Sequence, residues 1–536
     1  MRWIASTSLL LVSTFATLAV ASGAEEAKAK TKPPRPNVLL ILADDMGFSD
    51  LGCYGGEIET PNLDALAARG LRYAQFYNTA RCWSSRAAIL TGYYPQQVNR
   101  DPPRKRPEWA ALLPQLLAPA GYRSYHSGKW HLDGPVLAGG FERSYYLHDY
   151  DRNFNPKDHR LDDRPLPPVK PGTGYYTSTA FADRAVEWLD EHQAKHQGEP
   201  FFLYLAFTVP HFPIQAPPED IEKYRTRYTP GWDEIREARW RRQRELGLLD
   251  APLSDRDPKT VPPWNVREAD LKRRIGPGEA GYAVAWDSLS PEQKEFQAVK
   301  MAIHAAMVDR MDREIGKVLA RLDAMGAADD TIVLFASDNG ASAEQMIRGD
   351  GHDPNAEPGS AGSFLCLGPG WSTASNTPFR LHKYWNHEGG VATPLIVSWP
   401  AGIKAGGEIR HAAAGHFIDV VPTLLELAGA PAPTSFHDRP RPPLPGVSLV
   451  PTFDADVALE REAIYFSHEG NRGLRQGDWK IVAAGKNGPW ELHDLSVDRS
   501  ETHDLAAEKP DKVREMAELW SRLDEQYRKD GATGGK

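Results

Sequence analysis

The chain has 536 residues, a formal net charge of −9 and 41% hydrophobic residues. A chain of this length exceeds what one ordinary core holds, so we expect one large domain and a smaller one. The hydrophobic content argues against disorder, and the absence of a basic excess argues against nucleic acid as a partner.

The first segment has the layout of a cleaved secretory signal peptide. Residues 1–24 carry Arg2, an apolar run and small residues near their end. A membrane anchor is the alternative, but the run is short for a bilayer span. No later segment is apolar enough to span a membrane. We therefore expect a linker over 25–36 and an exported protein, periplasmic or secreted, with no membrane attachment after cleavage.

The chain contains only three cysteines, Cys53, Cys82 and Cys366. Disulfides can form in an exported protein. If Cys82 is chemically consumed, Cys53 and Cys366 remain as a possible pair. Disulfides are not expected to hold this fold together.

Short apolar runs rich in Val, Leu and Ile recur along the chain, as expected of strands buried on both faces of a parallel sheet. Helical patterns lie between them, at 62–70, where Asn62 is a plausible cap, and at 296–325. Strands alternating with helices predict an α/β fold with a large, mostly parallel sheet sandwiched by helices. The five predicted strands are 37–45, 122–127, 200–208, 331–339 and 393–400.

Two later segments differ from this pattern. Residues 219–291 are highly charged, and we interpret them as an insertion over the sheet's surface. Glutamates interleave with the arginines of one predicted helix there, which favours a solvated helix face over an anion-binding patch. The arginines are Arg236, Arg239, Arg241, Arg242 and Arg244.

A Pro-rich link at 430–446 separates off the C-terminal part. A strand pair over 463–482, the segment WELHDL at 490–495 and an amphipathic helix that includes Val513 and Tyr527 follow the link. We therefore expect the main α/β domain to span 37–440 and a smaller α+β subdomain to span 447–536.

Acidic residues directly follow two of the predicted strands. Asp44 and Asp45 end the first run, and Asp338 and Asn339 end the fourth. Sites form beyond the carboxyl ends of parallel strands, so three carboxylates and an amide oxygen converge if these strands are neighbours. Such an all-oxygen set suits Ca²⁺ or Mg²⁺ rather than zinc. Either pair alone is explained by an Asx turn or a helix cap.

Other ionisable residues share this placement. Lys129 and His131 follow the second strand, His211 follows the third, and Lys383 and His387 lie on the loop leading into the fifth. A metal, two lysines and histidines around one pocket would bind a small anion and protonate a leaving group. Three further histidines are interpreted as structural: His382, His416 and His493.

The stretch RCWSSRAAILTG, residues 81–92, places Cys82 at the start of a predicted helix. A helix N-terminus favours an anion, so a thiol there is typically reactive. The residues alone leave open whether Cys82 is a nucleophile, a metal ligand or the precursor of another group. A cysteine phosphatase is excluded, because its loop has five residues between Cys and Arg, whereas three separate Cys82 from Arg86.

Taken together, these motifs resemble the sulfatases of the arylsulfatase type in the alkaline phosphatase superfamily. The resemblance covers almost all of the mature chain, and the cysteine motif is its specific part. It implies an alkaline phosphatase-like fold and hydrolysis of aryl or carbohydrate sulfate esters to an alcohol and inorganic sulfate. The matching stretches, in order, are NVLLILADDMG, CWSSRAAILTGYYP, GKWHL, PHFP, SDNG, NTPFRLHKYWNHEGGVATPLIVSWP and RQGDWKIV.

The resemblance also implies roles for the candidate residues. In this family a maturation enzyme converts the cysteine to formylglycine, whose hydrate is the nucleophile. Arg86 and Lys129 would fix the formylglycine, and His131 would help its hemiacetal collapse. His211 and Lys383 would bind sulfate and assist the departing oxygen, with Asp338 as a candidate base. The implied ligands of Ca²⁺, or of Mg²⁺, are Asp44, Asp45, Asp338, Asn339 and the modified Cys82.

Two features depart from the family pattern. Ser84 stands where Pro, or sometimes Ala, is usual, and Lys383 lies in LHKYWNHEGG rather than in a glycine-rich approach. Alternatives are a phosphodiesterase or phosphonate monoester hydrolase of the same superfamily, and a non-catalytic protein that binds sulfated glycans. His468, Glu469 and Asn471 are candidates to reach the pocket from the C-terminal part, although surface turn residues are the favoured interpretation.

Overall fold

The computed structural model describes Met1 and residues 35–532. Apart from Met1, the expected signal peptide at 1–24 lies outside the described residues, as does most of the linker at 25–36. The chain from Arg35 onward forms one compact unit. Of the helices in the described part, none has both the length and the apolar character needed to cross a bilayer.

Strands and helices alternate through most of the described chain. The strands are β1 (Asn37–Asp44), β2 (Leu71–Tyr73), β3 (Phe76–Tyr77), β4 (Arg123–Gly128), β5 (Arg143–Leu147), β6 (His159–Leu161), β7 (Arg164–Pro165), β8 (Phe201–Pro210), β9 (Thr331–Ser337), β10 (Leu395–Ser398), β11 (Glu408–Arg410), β12 (Gly415–His416), β13 (Ser435–Phe436), β14 (Arg439–Pro440), β15 (Ile464–His468), β16 (Asn471–Gln476), β17 (Trp479–Ala483) and β18 (Glu491–Asp494). The α-helices are α1 (Pro61–Arg69), α2 (Cys82–Thr91), α3 (Leu113–Leu117), α4 (Thr177–Lys195), α5 (Pro218–Tyr224), α6 (Trp232–Glu245), α7 (Glu268–Arg274), α8 (Pro291–Ala324), α9 (Pro369–Ser375), α10 (Glu388–Val391), α11 (Val420–Ala428), α12 (Pro451–Asp454) and α13 (Pro510–Ala532).

A ten-stranded sheet forms the centre of the molecule, in the order β11-β2-β10-β9-β1-β8-β4-β5-β6-β7. The five strands from β9 to β5 in this order are parallel to one another. β10, the predicted strand at 393–400, pairs with β9 in the antiparallel direction. The sheet is therefore mixed but mostly parallel, and the predicted α/β class is confirmed.

Both faces of the sheet are buried, which explains why the strands appear in the sequence as unbroken apolar runs. On β1, Leu39 and Ile41 point into a core that includes residues of α4 and α8. The alternate residues Val38 and Leu40 point into a second core built with α2, α3 and α11. Side chains alternate across a strand, so each strand contributes to both layers.

The long helix α8 begins five residues before the predicted start at 296, because a capping box fixes its first turn. The Ser290 side chain accepts a hydrogen bond from the Gln293 backbone N at 3.2 Å. The Gln293 side chain accepts one from the Ser290 backbone N at 3.0 Å. Pro291 occupies the first helical position, where its missing N–H costs nothing.

The C-terminal part forms a four-stranded antiparallel sheet, β15-β16-β17-β18, with α13 packed on it. The predicted strand pair at 463–482 is thus three strands. The apolar side chains of this four-stranded sheet, among them Leu474 and Ile481, share one core with Val38 and Leu40 of the central sheet. The smaller α+β subdomain is present, and its interior is continuous with that of the main domain.

The charged insertion differs from its prediction in one respect. Arg236 and Arg239 of α6 are buried, so the solvated-face interpretation was wrong for them. Arg239 Nη1 lies 2.7 Å from Asp50 Oδ1, and Arg239 Nε lies 2.7 Å from Glu57 Oε2. Trp232 on the same helix packs edge-on against Trp286, which turns this face inward. The remaining three arginines are exposed as predicted: Arg241, Arg242 and Arg244.

The structure decides two smaller points. All three cysteines are free, so the pair Cys53 and Cys366, which the sequence left open, forms no disulfide. Asn62 does not cap α1, because Thr60 occupies the cap position. The Asn62 side chain instead donates to Asp312 Oδ2 of α8 at 2.8 Å and joins the two helices.

Candidate active site

Four oxygen-bearing side chains converge at the carboxyl ends of β1 and β9. The two strands are parallel neighbours, with Ala43 opposite Ser337. Asp338 N donates to Ala43 O at 3.1 Å, and Asp45 N donates to Asp338 Oδ1 at 3.3 Å. The predicted convergence of Asp44, Asp45, Asp338 and Asn339 therefore holds, and all four are buried.

Basic side chains from three other segments meet Asp44 and Asp45. Lys129 Nζ, just past β4, lies 2.5 Å from Asp44 Oδ2. Lys383 Nζ lies 2.8 Å from Asp45 Oδ2, and His211 Nε2, just past β8, lies 3.6 Å from the same oxygen. The structure thus brings both predicted lysines and His211 to one site.

Arg86 connects α2 to this site. Its Nη2 lies 2.8 Å from Asp338 Oδ2, and its Nη1 donates to the Lys129 carbonyl at 2.9 Å. The side chain is fully buried, so it cannot exchange these partners for water. One arginine therefore ties the helix that begins at Cys82 to β9 and to the segment after β4.

Cys82 is the first residue of α2, as predicted, and is 3% exposed. Burial raises the pKa of its thiol, and the positive charges of Lys129 and Lys383 only partly oppose this effect. The thiol is therefore protonated at neutral pH. A helix N-terminus alone does not produce a reactive thiolate here.

The carboxyl groups of the site differ in their protonation. Burial disfavours ionisation of Asp44, but the charges of Lys129, His211 and Arg86 outweigh it and hold its pKa below the usual range. Burial and the adjacent Asp44 charge raise the pKa of Asp338 to about 7. Two neighbouring carboxyls are thus held in different states, an arrangement that is typical of functional sites.

The two histidines are placed differently. His211 Nδ1 lies 2.5 Å from the Phe212 carbonyl, so Nδ1 carries the proton and Nε2 faces Asp45. Burial lowers the pKa of His211. His131 packs its ring against Trp83 and Tyr150, and its buried Nδ1 has no partner among the described residues. Burial, with the charge of Lys129, places the pKa of His131 well below its ordinary value.

Sequence reasoning missed Glu344, which is 1% exposed and lies between two cations. Its Oε2 is 2.9 Å from Lys383 Nζ, and its Oε1 is 3.3 Å from Arg81 Nη1. The residue follows the SDNG motif by only a few positions, but no spacing rule marks it. With Asp45, it places the Lys383 ammonium between two carboxylates, and both raise the pKa of that lysine.

A closed circuit of five side chains lies beside residue 82, and we call it the aromatic collar. Arg81 stacks on Trp83 at 4.8 Å and on Trp264 at 5.4 Å. Trp83 contacts the His468 ring, His468 contacts Tyr384, and Tyr384 contacts Trp264. These residues come from the start of α2, the insertion, the loop that carries Lys383 and the C-terminal sheet. No local sequence pattern could therefore have predicted that they meet.

Two expectations about the surroundings of this site need correction. His387 does not enter the pocket; its Nε2 lies 3.4 Å from Glu491 Oε1 of the C-terminal sheet. His468 and Asn471 are buried rather than surface turn residues, and Asn471 donates to the Tyr384 carbonyl at 3.0 Å. The C-terminal part therefore does reach the site. The three histidines interpreted as structural are all buried: His382, His416 and His493.

The fold and the site together define a sulfuric ester hydrolase of the alkaline phosphatase superfamily. The sequence profile described as Sulfatase matches residues 36–430. The profile described as N-sulphoglucosamine sulphohydrolase, C-terminal, matches residues 380–529. The chain belongs to the sulfatase family.

Comparison with similar proteins supports this assignment. An uncharacterized sulfatase of Schizosaccharomyces pombe is 32% identical over 538 residues, covering 91% of this chain and 93% of its own. The arylsulfatase of Klebsiella aerogenes is 31% identical over 473 residues, covering 81% of this chain and 94% of its own. A protein solved in complex with its substrate D-glucosamine-2-N,6-O-disulfate shares the fold, with a TM-score of 0.61 and 22% identity over 94% of this chain and 100% of that one.

Proposed function

We propose that the protein hydrolyses an aryl or saccharide sulfate ester through a formylglycine made from Cys82, with Ca²⁺ bound beside it. One observation carries the proposal. Cys82 begins a buried helix, and its thiol lies close enough to both lysines and to two of the acids for their charges to act on it. A candidate nucleophile, anion-binding cations and candidate metal ligands therefore lie together. Sulfate ester hydrolysis needs these three elements together.

The residues present fit a hard divalent cation. Asp44 Oδ1 and Asn339 Oδ1 are buried and have no hydrogen-bond partner among the described residues. Ligand atoms of Asp44, Asp45 and His211 lie within 4.8 Å of one another. Asp44, Asp45, Asp338 and Asn339, with residue 82, would hold Ca²⁺, or Mg²⁺ less well. When bound, the ion supplies a Lewis acid that draws charge from the sulfate oxygens.

The converted residue 82 would supply a hydrated aldehyde. One of its hydroxyls would attack sulfur as the S–O bond to the departing alcohol breaks, and the other would later lose its proton as the C–O bond to sulfate breaks and the aldehyde re-forms. Arg86 and Lys129 hold this side chain in place, since Arg86 fixes α2 and Lys129 Nζ lies at Asp44. Asp338 is the candidate base for the hydroxyl proton. His131 would assist the collapse that regenerates the aldehyde.

Lys383 and His211 belong on the leaving-group side of the reaction. Both lie at Asp45, and Lys383 is held protonated between Asp45 and Glu344. A protonated lysine offers three donors to a sulfate or to a departing oxygen. The aromatic collar beside residue 82 supplies ring faces that suit an aryl group or the apolar face of a sugar. This supports the two proposed substrate classes equally.

The test is the mass of one peptide. Tryptic cleavage after Arg81 and Arg86 releases CWSSR, and we expect the CH₂SH of Cys82 to have become CHO in active protein exported by its host or made beside a maturation enzyme. The same digest shows whether residues 1–24 have been removed, as proposed export requires. Cys82→Ala should fold and bind metal but not turn over.

Cys53→Ala is the matched control, because Cys53 is also free but lies outside the site. It should retain full activity. Fully active enzyme whose CWSSR peptide still carries the thiol contradicts the formylglycine mechanism. Hydrolysis of a phosphodiester or phosphonate ester in preference to any sulfate ester contradicts the proposed substrate class.

A further inference from the structure

The turn between β15 and β16 carries a carboxylate that the catalytic proposal does not use. His468 pairs with Asn471 across the two strands. The loop between them is therefore only Glu469 and Gly470, whose φ angles are 45° and 93°. Positive φ at both positions is the type I′ form of a two-residue hairpin, in which Asn or Asp is the preferred residue before Gly.

Glutamate is a poor residue for this conformation. A left-handed backbone brings its Cβ close to the following carbonyl oxygen, and its side chain is too long for the local hydrogen bonds that make Asn and Asp acceptable there. Within residues 35–532 no hydrogen bond to the Glu469 carboxylate forms, and its Oε2 lies 3.9 Å from His468 Nε2. A strained residue without a local compensating contact points to a function.

Both ends of this turn are held against the aromatic collar. The buried His468 ring lies 5.7 Å from the ring of Trp83 and 5.7 Å from that of Tyr384. Its Nδ1 lies 3.2 Å from Asp101 Oδ2, which fixes the ring from behind. At the other end, Asn471 Nδ2 donates to the Tyr384 carbonyl at 3.0 Å. The turn therefore has a fixed position beside the collar.

The Glu469 carboxylate is accessible from this fixed position. The Glu469 side chain is 40% exposed, whereas that of His468 is fully buried. Burial raises the pKa of the Tyr384 hydroxyl, and the charge of Glu469 raises it further, so the carboxylate lies within electrostatic reach of the collar. Tyr384 directly follows Lys383 in the chain. An accessible acceptor thus stands next to the rings that adjoin the catalytic residues.

A carboxylate beside aromatic rings suits a sugar with free hydroxyl groups. An ionised carboxylate only accepts hydrogen bonds, and those that it accepts are among the stronger ones in proteins. Aromatic faces pack on the apolar face of a sugar ring. A simple aryl sulfate offers this carboxylate no hydroxyl, and a second sulfate on the same ring would be repelled by it. Glu469 therefore distinguishes two substrate classes that the collar alone treats equally.

We propose that Glu469 is a specificity-determining residue, which accepts hydrogen bonds from the hydroxyl groups of a singly sulfated sugar ring packed on the aromatic collar. This inference rests on the proposed sulfate ester hydrolysis and names the substrate class for it. The hydrogen bonds favour the sugar ester over an aryl ester. The negative charge of Glu469 disfavours a ring that carries a second sulfate.

The test compares kcat/KM for 4-nitrophenyl sulfate with kcat/KM for monosulfated galactose, glucose and their N-acetylated 2-amino derivatives. For the best sugar ester, Glu469→Gln should lower the ratio of sugar to aryl kcat/KM about tenfold, the loss expected for one charge-assisted hydrogen bond. The deoxy analogue that lacks the bonded hydroxyl should lose this sensitivity to Glu469→Gln. A disulfated analogue should instead gain in rate relative to the monosulfated sugar, which general damage to the protein cannot produce.

Glu469→Asn separates recognition from turn structure. Asn is the preferred residue at this turn position, so the variant should have a higher melting temperature than wild type. It should nevertheless lower the sugar-to-aryl ratio as Glu469→Gln does, a gain in stability together with a loss of selectivity. Glu462→Gln is the matched control, because Glu462 is an exposed acid of the same C-terminal part that pairs with Arg522. It should leave all the ratios unchanged.

Unchanged ratios in both Glu469 variants overturn the proposal, as does an equal loss on sugar and aryl esters. Wild-type protein that hydrolyses 4-nitrophenyl sulfate but none of the sugar sulfates overturns the assignment of a sugar, while sulfate ester hydrolysis stands. Protein that hydrolyses neither kind of ester refutes the proposed function, and the role of Glu469 falls with it.

Discussion

Asp45 shows how single residues build the site. Its backbone adopts φ 67°, a left-handed conformation that few residues other than glycine accept, which indicates local strain at a functional position. From there its carboxylate meets Lys383, His211 and the Asn339 amide, whose Nδ2 donates to Asp45 Oδ1 at 2.6 Å. One residue therefore connects the proposed metal ligands to the two residues that we propose assist the leaving group.

At this scale we predict the effect of His211→Ala. Assistance to a departing oxygen is worth about 10²- to 10⁴-fold in rate and matters most when the leaving group is poor. The substitution should therefore slow hydrolysis of a saccharide sulfate by a factor in that range and slow hydrolysis of nitrophenyl sulfate much less. Steady-state kinetics on the two esters measure the difference.

His382→Ala is the control for lost packing, since His382 is also buried and its ring forms a hydrogen bond with Ser372 at 2.8 Å. It should change the rates of both esters by the same factor. An equal loss on both esters in His211→Ala would show that His211 binds sulfate and does not assist the leaving group.

Between elements, prediction succeeded where local pattern and sheet geometry act together. The acids after β1 and β9, and Lys129 and His211 after β4 and β8, meet because carboxyl ends of parallel neighbours share one edge. Most of the fold and the centre of the site followed from this rule. The same reasoning was wrong for His387, which does not enter the pocket, because a loop leading into a strand has no fixed direction.

Long-range packing accounts for what could not be predicted. The burial of Arg239 depends on Asp50 and Glu57, more than 180 positions away along the chain, and charge pattern along one helix cannot reveal such partners. Glu344 and the aromatic collar likewise need several distant segments to meet. Arg81 and Trp83 flank Cys82 in the sequence, so their closeness to the site could be predicted, but the contact between Arg81 and Trp264 could not.

His493 on β18 makes the stability of the C-terminal sheet depend on pH. Burial disfavours its charged form, but Asp498 and Glu491 outweigh this effect and raise its pKa to about 9. Because the folded pKa lies above the unfolded value of about 6.5, the contribution is fully present below pH ~6.5 and is lost as pH rises through 9. The shift corresponds to about 3 kcal/mol at most.

We therefore expect wild type to be more stable than His493→Gln by up to about that amount at pH 6, with a smaller difference at pH 9.5. Denaturant titrations at both pH values measure it. His503→Gln is a suitable control, because that side chain is exposed at 69% and its loss should be nearly neutral. A difference independent of pH would show that His493 acts through packing rather than charge.

For the whole molecule, the continuous core predicts one cooperative unfolding transition. Residues of the C-terminal sheet and of β1 share a core, and Lys480 Nζ lies 2.8 Å from Glu388 Oε1 of α10, with both groups buried. Removing the C-terminal part would leave Glu388 buried without this partner. The two predicted domains therefore should not unfold separately.

Calcium should shift this single transition. A ligand that binds only the folded state at 100 times its Kd stabilises by about 2.7 kcal/mol, so Ca²⁺ should raise the melting temperature by a few degrees and exhaustive chelation should reverse the rise. Scanning calorimetry measures both the number of transitions and the shift. Asp45→Asn should abolish the shift, whereas Asp64→Asn, outside the site, should retain it.

Two transitions would contradict the continuous core. A single transition whose melting temperature is unchanged by Ca²⁺ but raised by Zn²⁺ would contradict the proposed ligand set. The stabilisation is read from protein without substrate, so it separates metal binding from catalysis.

The burial of α2 sets an order of events in the life of the chain. Cys82 is 3% exposed, and Ser84 and Arg86 are fully buried, with Ser84 Oγ donating to the Arg81 carbonyl at 2.9 Å. An enzyme that converts Cys82 has to take this stretch into its own active site, which a finished helix inside a core does not allow. If residue 82 is converted as proposed, conversion competes with folding of the newly made chain, and the fraction of molecules that become active depends on which of the two is faster. A mutation that speeds folding would then yield a stable protein in which a smaller fraction of the molecules is active.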